Sequence, residues 1–499
     1  MSQKLKIAIY SFFGLYLTTC AALLYWVVIY SGSGDGDTLE HVHSSWLVFN
    51  GKIPYKDFFQ HHNPLIWYIG APLVGMYEYS LRAVDAVNML TVTATLFSWY
   101  YIYRVNKEFL SNTLGGLIGA AFCTLPQESL YNKDFKPDNY MALMLIIGIY
   151  YLFCYIRDKK LQSLVISFLA LFASFMFTQK AALEILGIGL ILLYMVIKKQ
   201  IPLRDCIYAS LLPILIYLSF LAFLYSEDIF FLYFKANFEL NSHIPAVFDV
   251  RRFIYPSYEM CVPIIFAITG LVCCMYQGNK FIKIMGILFI TEYIIRLYYF
   301  TPFIYYFAYL HVLSSAFAGA TAAYLIKKSK YVVFAFMAYF LVLGGIYINI
   351  YRYRITVGDD FKYGAAGFVL RHTNPCDYVL NGYRIGYNLF NKDLDYIWNL
   401  QGQIDVIAAT IGIRPTSDLE GLIRKYRPKI IYGKNYYDTY REYRGHIGVY
   451  PIHQISSHLL EEMYTPLNRD DLYILKPEYQ SYDCRYNIRT KSFEYRDKH

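Results

Sequence analysis

The chain has 499 residues, 57% of them hydrophobic and 19% aromatic, with only 17% charged. That balance is too apolar for a soluble protein of this length and marks a membrane protein. The net charge of +9 does not describe a nucleic-acid surface, because residues 352–499 hold 21 Lys and Arg against 18 Asp and Glu, which leaves most of the excess in the apolar part.

Lys4 and Lys6 precede an apolar run from 7 to 30 with no small-residue cleavage site after it. This run is too long for a signal-peptide core and is expected to stay as an anchor. Further stretches long enough to cross a bilayer fall near 82–103, 112–128, 139–156, 161–178, 181–197, 205–225, 259–276, 282–299, 303–325 and 330–350. Together they predict a polytopic α-helical membrane protein of about 11 spans. The stretch 64–80, "PLIWYIGAPLVGMYEYS", is apolar but carries Pro64, Gly70, Pro72 and Gly75, and it reads as interfacial or re-entrant. Charge supports leaving it out of the count. Without it, the clusters at Lys4/Lys6, Arg104/Lys107, Arg157/Lys159/Lys160, Lys198/Lys199/Arg204, Lys280/Lys283 and Lys327/Lys328/Lys330 all lie on the cytoplasmic side.

That parity predicts a multi-pass protein of the inner (plasma) membrane with a cytoplasmic N-terminus. It turns outward the first loop (31–81), segment 129–138, the Thr178–Lys180 corner, segments 226–258 and 300–302, and everything after about residue 351. The division expected is a membrane domain over 1–351 and a small extracytoplasmic α/β domain over 352–499. In the latter, strand-like "DYVLNGY" and "PKIIYGK" alternate with helical "SDLEGLIRKYR". Cys376 and Cys484 are the only cysteines of this part; an oxidising exterior permits a bridge, and two separate buried thiols are the other reading. No cysteine or histidine spacing supports a structural metal site.

The outward ionisable residues are few. Asp37, Glu40, His41 and His43 share one segment; Asp57, His61 and His62 follow; Asp134, Lys136 and Asp138 occupy the second outer loop; Lys180 tops a span. On a helix, Asp37, Glu40 and His41 lie at i, i+3 and i+4 and share a face, where an acid and its partner could be built. Each has a plainer reading too: Asp37 can open a D-x-x-E capping box, His61 and His62 can be structural, Pro137 can start a helix with Asp138 in its first turn, and Lys180 can snorkel.

Taken jointly, Asp37, the "EH" at 40–41 and "NGKIPYKDFFQHHNPL" (50–65) resemble the first extracytoplasmic loop of the membrane-embedded C-type glycosyltransferases, in particular the bacterial relatives of protein O-mannosyltransferases and the lipid A aminoarabinose transferases. There an acid just after the first span precedes a G-x-P-Y-x-D turn by about fourteen positions, as Asp37 precedes Gly51. "FKPD" (135–138) is similar to the family's second outer loop, and "TQKAAL" (178–183) to the surroundings of its lipid-phosphate cation. The match is best over 7–200. It departs in one place, because many relatives have adjacent Asp-Glu, whereas Thr38 follows Asp37 and the next acid is Glu40.

The resemblance implies transfer of a sugar from a polyprenyl-phosphate donor to a glycan, lipid or protein acceptor at the outer membrane surface. Asp37 would be the base, with Glu40 as the neighbouring acid. Asp138 would orient the acceptor or a divalent cation; no other cofactor is implied, and metal use varies within the fold. Lys180 and Arg296 would face the lipid phosphate, Arg296 having a second reading as the ion-pair partner of Glu292. Lys136, Tyr55, His41, His61 and His62, with Tyr68 and Trp67, would bind substrate. Other classes compatible with so greasy a chain are a transporter or flippase of lipid-linked glycans and a non-catalytic scaffold; the first would be expected to place ionisable groups near midplane in repeated halves, and no repeat is visible.

Overall fold

The computed structural model describes residues 2–31, 36–124, 133–243, 265, 267–271, 279–298, 308–362, 365–381, 388–397, 407–415, 418–432, 455–467, 472–480, 482–487 and 492–497. Helices occupy almost all of the apolar stretches: α1 (Gln3–Ser31), α4 (Arg82–Val105), α5 (Thr113–Phe122), α6 (Pro137–Asp158), α7 (Leu161–Phe177), α8 (Ala181–Ile197), α9 (Leu203–Ser226), α11 (Lys280–Tyr298), α12 (Ala308–Lys328) and α13 (Val332–Lys362). Two shorter helices, α2 (Gly36–Phe49) and α3 (Leu65–Met76), follow α1, and α10 (Phe230–Phe234) follows α9. The predicted stretch 259–276 lies mostly outside the described residues. Among the described residues, five helices are long and apolar enough to cross a membrane: α1, α6, α9, α12 and the Val332–Ile350 part of α13. The chain is thus a polytopic helical membrane protein.

It divides into two compact units. The first comprises 1–30, 88–222 and 246–356; the second comprises 31–87, 223–245 and 357–499.

In the first unit, α6 and α12 are interior helices, each 83% buried along its apolar window, whereas that window of α9 is only 17% buried and presents Leu211, Leu215 and Leu218 outward, as a lipid-facing helix does. With lipid as solvent, burial of apolar surface between helices gains little, so close contact and interhelical hydrogen bonds hold them together. Small residues supply the contact where α5 crosses α12. Gly115 and Gly119, spaced G-x-x-x-G, face Ser315, Gly319 and Ala323, and a Cβ on Gly319 would lie 2.3 Å from the Gly115 carbonyl oxygen. Tyr16 with Thr124 and Thr91 with Tyr140 supply hydrogen bonds of 2.9 Å between helices. Helix α6 opens on Pro137 at its first turn and closes at Lys159 in the left-handed conformation, whose N–H donates to the Tyr155 carbonyl at 2.8 Å.

In the second unit, residues 379–475 contain a four-stranded sheet of order β1-β2-β4-β3, with β1 (Val379–Asn381) parallel to β2 (Ile430–Tyr432) and antiparallel pairing of β4 (Leu472–Leu475) to both β2 and β3 (Tyr464–Leu467). Helix Leu419–Tyr426 is N-capped by Asp418, whose carboxylate accepts from the Gly421 N–H at 3.0 Å. Its Ile423 packs with Leu459, Ile431 and Tyr464 in one core. A separate hairpin joins β5 (Tyr482–Asn487) to β6 (Ser492–Asp497). Cys376 is engaged in a disulfide, while the side chain of Cys484 lies outside the described residues.

Candidate active site

In the second unit, α2 carries Asp37 in its first turn, so the acid sits inside the helix start rather than ahead of it as a capping box would have it. A carboxylate there is favoured by the helix dipole. Asp37 is partly buried, and Glu40 and His41, one turn on along the same face, are buried. Helix α2 ends in a Schellman arrangement: Gly51 adopts φ +79°, the Lys52 N–H donates to the Leu47 carbonyl and the Gly51 N–H to that of Val48, both at 3.0 Å.

The following turn explains the rest of the motif. Asp57 locks it by accepting from the Ile53 N–H at 2.7 Å while its own N–H donates back to Ile53 O at 2.9 Å. Tyr55, at φ +68° and 1% exposed, is pinned at both ends, since its hydroxyl donates to His62 O at 2.5 Å and its carbonyl accepts from the Tyr396 hydroxyl at 2.7 Å. Burial, with Tyr233 beside it, raises the Tyr55 hydroxyl well above the usual phenol range, so it stays a neutral donor.

The turn thereby gathers the predicted histidines. His61 and His62 lie 4.2 Å apart between ring centroids, and His62 is 5.8 Å from His41. Trp67, on α3, donates its indole N–H to His41 Nδ1 at 3.1 Å, which places any hydrogen of a neutral His41 ring on Nε2. The segment after α9 packs onto the same turn: the Tyr233 hydroxyl donates to Asn63 Oδ1 at 2.8 Å and the Asn241 amide to His61 O at 3.1 Å. No motif in the sequence announced that role. At 12 residues, α3 is too short to cross a hydrocarbon core of about 30 Å, and Tyr68, unlike Trp67, is exposed on it.

In the first unit, the segment leading into α6 is held by charge. Lys180 Nζ lies 2.9 Å from Asp138 Oδ1, and Lys133 Nζ lies 2.8 Å from Asp134 Oδ1, with all four residues and Lys136 buried. Neutral hydrogen bonds complete it: Phe135 N–H donates to Asn88 Oδ1 and the Asn139 amide to Asp134 O, both at 3.0 Å. Lys133 was missed by sequence reasoning, though a lysine directly before an aspartate, ahead of an apolar stretch, is a visible signal. Arg296 lies on α11, with its side chain outside the described residues.

No family model matches the chain, and no curated protein matches it in sequence. Solved structures do match. ArnT from Cupriavidus metallidurans, bound to undecaprenyl phosphate, superposes with a TM-score of 0.64 over 92% of this chain and 97% of its own, at 11% identity. The fold is that of the membrane-embedded C-type glycosyltransferases. The archaeal oligosaccharyltransferase AglB from Archaeoglobus fulgidus, in complex with an inhibitory peptide and a dolichol-phosphate, matches at 0.51 over 86% of this chain and 70% of its own, at 11% identity. The same oligosaccharyltransferase in complex with zinc and sulfate matches at 0.51 over 83% of this chain and 67% of its own, at 12% identity. Among the described residues of this chain, no group of three or more His, Cys, Asp and Glu side chains comes together as a metal site.

Proposed function

We propose that this chain is a glycosyltransferase that moves a sugar from a polyprenyl-phosphate carrier to a glycan, lipid or protein acceptor on the extracytoplasmic side of the membrane. The observation that carries this reading is the fold match along 92% of the chain to an enzyme captured with undecaprenyl phosphate. It is supported by the sequence spacing from Asp37, in the first turn of α2, to Gly51. The topology that goes with it is the one of about 11 spans, with the N-terminus cytoplasmic and residues 352–499 outside.

In the proposed step the acceptor hydroxyl gives its proton to Asp37 as its oxygen bonds to the anomeric carbon. The bond from that carbon to the phosphate oxygen breaks, and the electron pair leaves with the polyprenyl phosphate. The departing phosphate needs cations that are already oriented. By the family resemblance, Lys180, held by Asp138, with Lys136 and Arg296, is assigned to that phosphate, and Glu40 is the neighbouring acid of Asp37. His41, His61, His62 and Trp67 line the sugar, with Tyr55 as the pin that keeps the two consecutive histidines in place. The test is mass spectrometry of envelope glycans, lipids and proteins from cells with the chain, without it, and with its Asp37→Asn variant. A glycosyl mass present only with the unaltered chain is the expected result; no difference among the three contradicts the proposal.

A further inference from the structure

Helix α2 has 14 residues, and ten of them, from Thr38 to Leu47, are buried. A helix this short is marginal by itself, so its placement depends on what grips it. His43 is 0% exposed and has oxygen at both ring nitrogens: Nδ1 lies 3.2 Å from Leu389 O, and Nε2 lies 3.0 Å from Asp393 Oδ2. Asn388 steadies that carboxylate through a 2.5 Å bond from its amide to Asp393 Oδ1, and the same amide nitrogen is 3.4 Å from His43 Nε2. The grip extends along the segment. Phe390 meets the Trp46 ring edge-on at 6.1 Å, and Tyr396 both accepts from the Phe59 N–H at 2.8 Å and donates to Tyr55 O at 2.7 Å.

We propose that segment 388–397 is the positioning element of α2, with His43 as its positioning residue. A base must be held to within about 0.5 Å of its working geometry by groups that are themselves fixed, and a buried imidazole bonded to a carboxylate about 350 residues away in the chain is such a group. The consequence for turnover rests on the sugar-transfer reading; the consequence for the order of α2 does not.

The experiment uses the full chain in lipid nanodiscs, as His43→Ala, Asp393→Ala and the double variant, with Asp393→Asn as a size-conserving substitute should an alanine variant fail to fold. Hydrogen exchange of the α2 amides, followed by mass spectrometry, is read beside kcat and donor KM. Each single variant is expected to speed α2 exchange about tenfold or more, the scale of one charge-assisted hydrogen bond, and the double variant no further. Exchange in β1, β2, β3 and β4 is expected to stay as in the unaltered chain, and kcat to fall with donor KM nearly constant. Unchanged α2 exchange in the single variants, or effects that add in the double, overturns the proposal. An unaltered chain that turns over no polyprenyl-phosphate sugar defeats the transferase reading instead, while the exchange data still decide the role of His43.

Discussion

The segments that begin α2 and α6 hold their acids in opposite ways. Asp37 sits partly buried in the first turn of α2, ahead of a turn in which the Asp57 carboxylate, aromatic edges and imidazoles pack together. Asp138 is 2% exposed and lies against the Lys180 ammonium in a loop built from ion pairs. The Asp138 carboxylate and the Lys180 ammonium balance each other in a buried setting, whereas Asp37 sits in a first turn where the helix dipole favours a negative charge. The proposed reading gives the two acids different tasks, Asp138 to hold a cation and Asp37 to act as the base.

The same Asp→Asn change should therefore act differently in the two segments. Asp138→Asn leaves Lys180 buried beside a neutral amide, and breaking a buried pair on one side costs about 3–5 kcal/mol; thermal unfolding in detergent should show a large drop, and Lys180→Met added to it should recover much of the loss. Asp37→Asn should cost no more than about 1 kcal/mol, the scale of one charge lost from the first turn of a helix. Equal destabilisation by the two substitutions would remove the contrast. A smaller effect is expected from Tyr55→Phe, which leaves the His62 carbonyl without its 2.5 Å donor at a cost of about 1–3 kcal/mol. It should also weaken donor binding by loosening His61 and His62, and an unchanged donor KM would deny the turn that supporting role. Smallest is Gly51→Ala, at φ +79°, with a loss of about 1 kcal/mol in unfolding free energy. No loss would mean that the α2 terminus does not depend on its left-handed residue.

What was legible in the sequence is what local period and spacing encode. Asp37, Glu40 and His41 at i, i+3 and i+4 do share one helix face, and β1, β2 and helix Leu419–Tyr426 fall inside the segments read as strand, strand and helix. The placement of Asp37 within the helix rather than at its cap was not legible, because helix boundaries shift by a residue or two with little energetic consequence. Nor were the partners: His43 meets Asp393 at a separation of 350 residues, and Lys180 meets Asp138 at 42. Such pairings are set by tertiary packing, which no local pattern records. A signal was present even so, since a histidine in the middle of an apolar helix must find an acceptor if it is buried. The G-x-x-x-G at Gly115 and Gly119 was likewise open to reading as a helix crossing.

The account rests on Asp37 as the acceptor-activating base, and the most direct test is release of polyprenyl phosphate by the purified chain and its Asp37→Asn variant, with a polyprenyl-phosphate-linked sugar as donor and a matched acceptor. The account predicts thermal stability within about 1 kcal/mol of the unaltered chain and a fall in turnover of about a hundredfold or more, the usual scale for loss of a general base. Turnover by the variant within a few-fold of the unaltered chain would contradict it, and the parallel loss of activity in Glu40→Gln would then move the base one helical turn along α2.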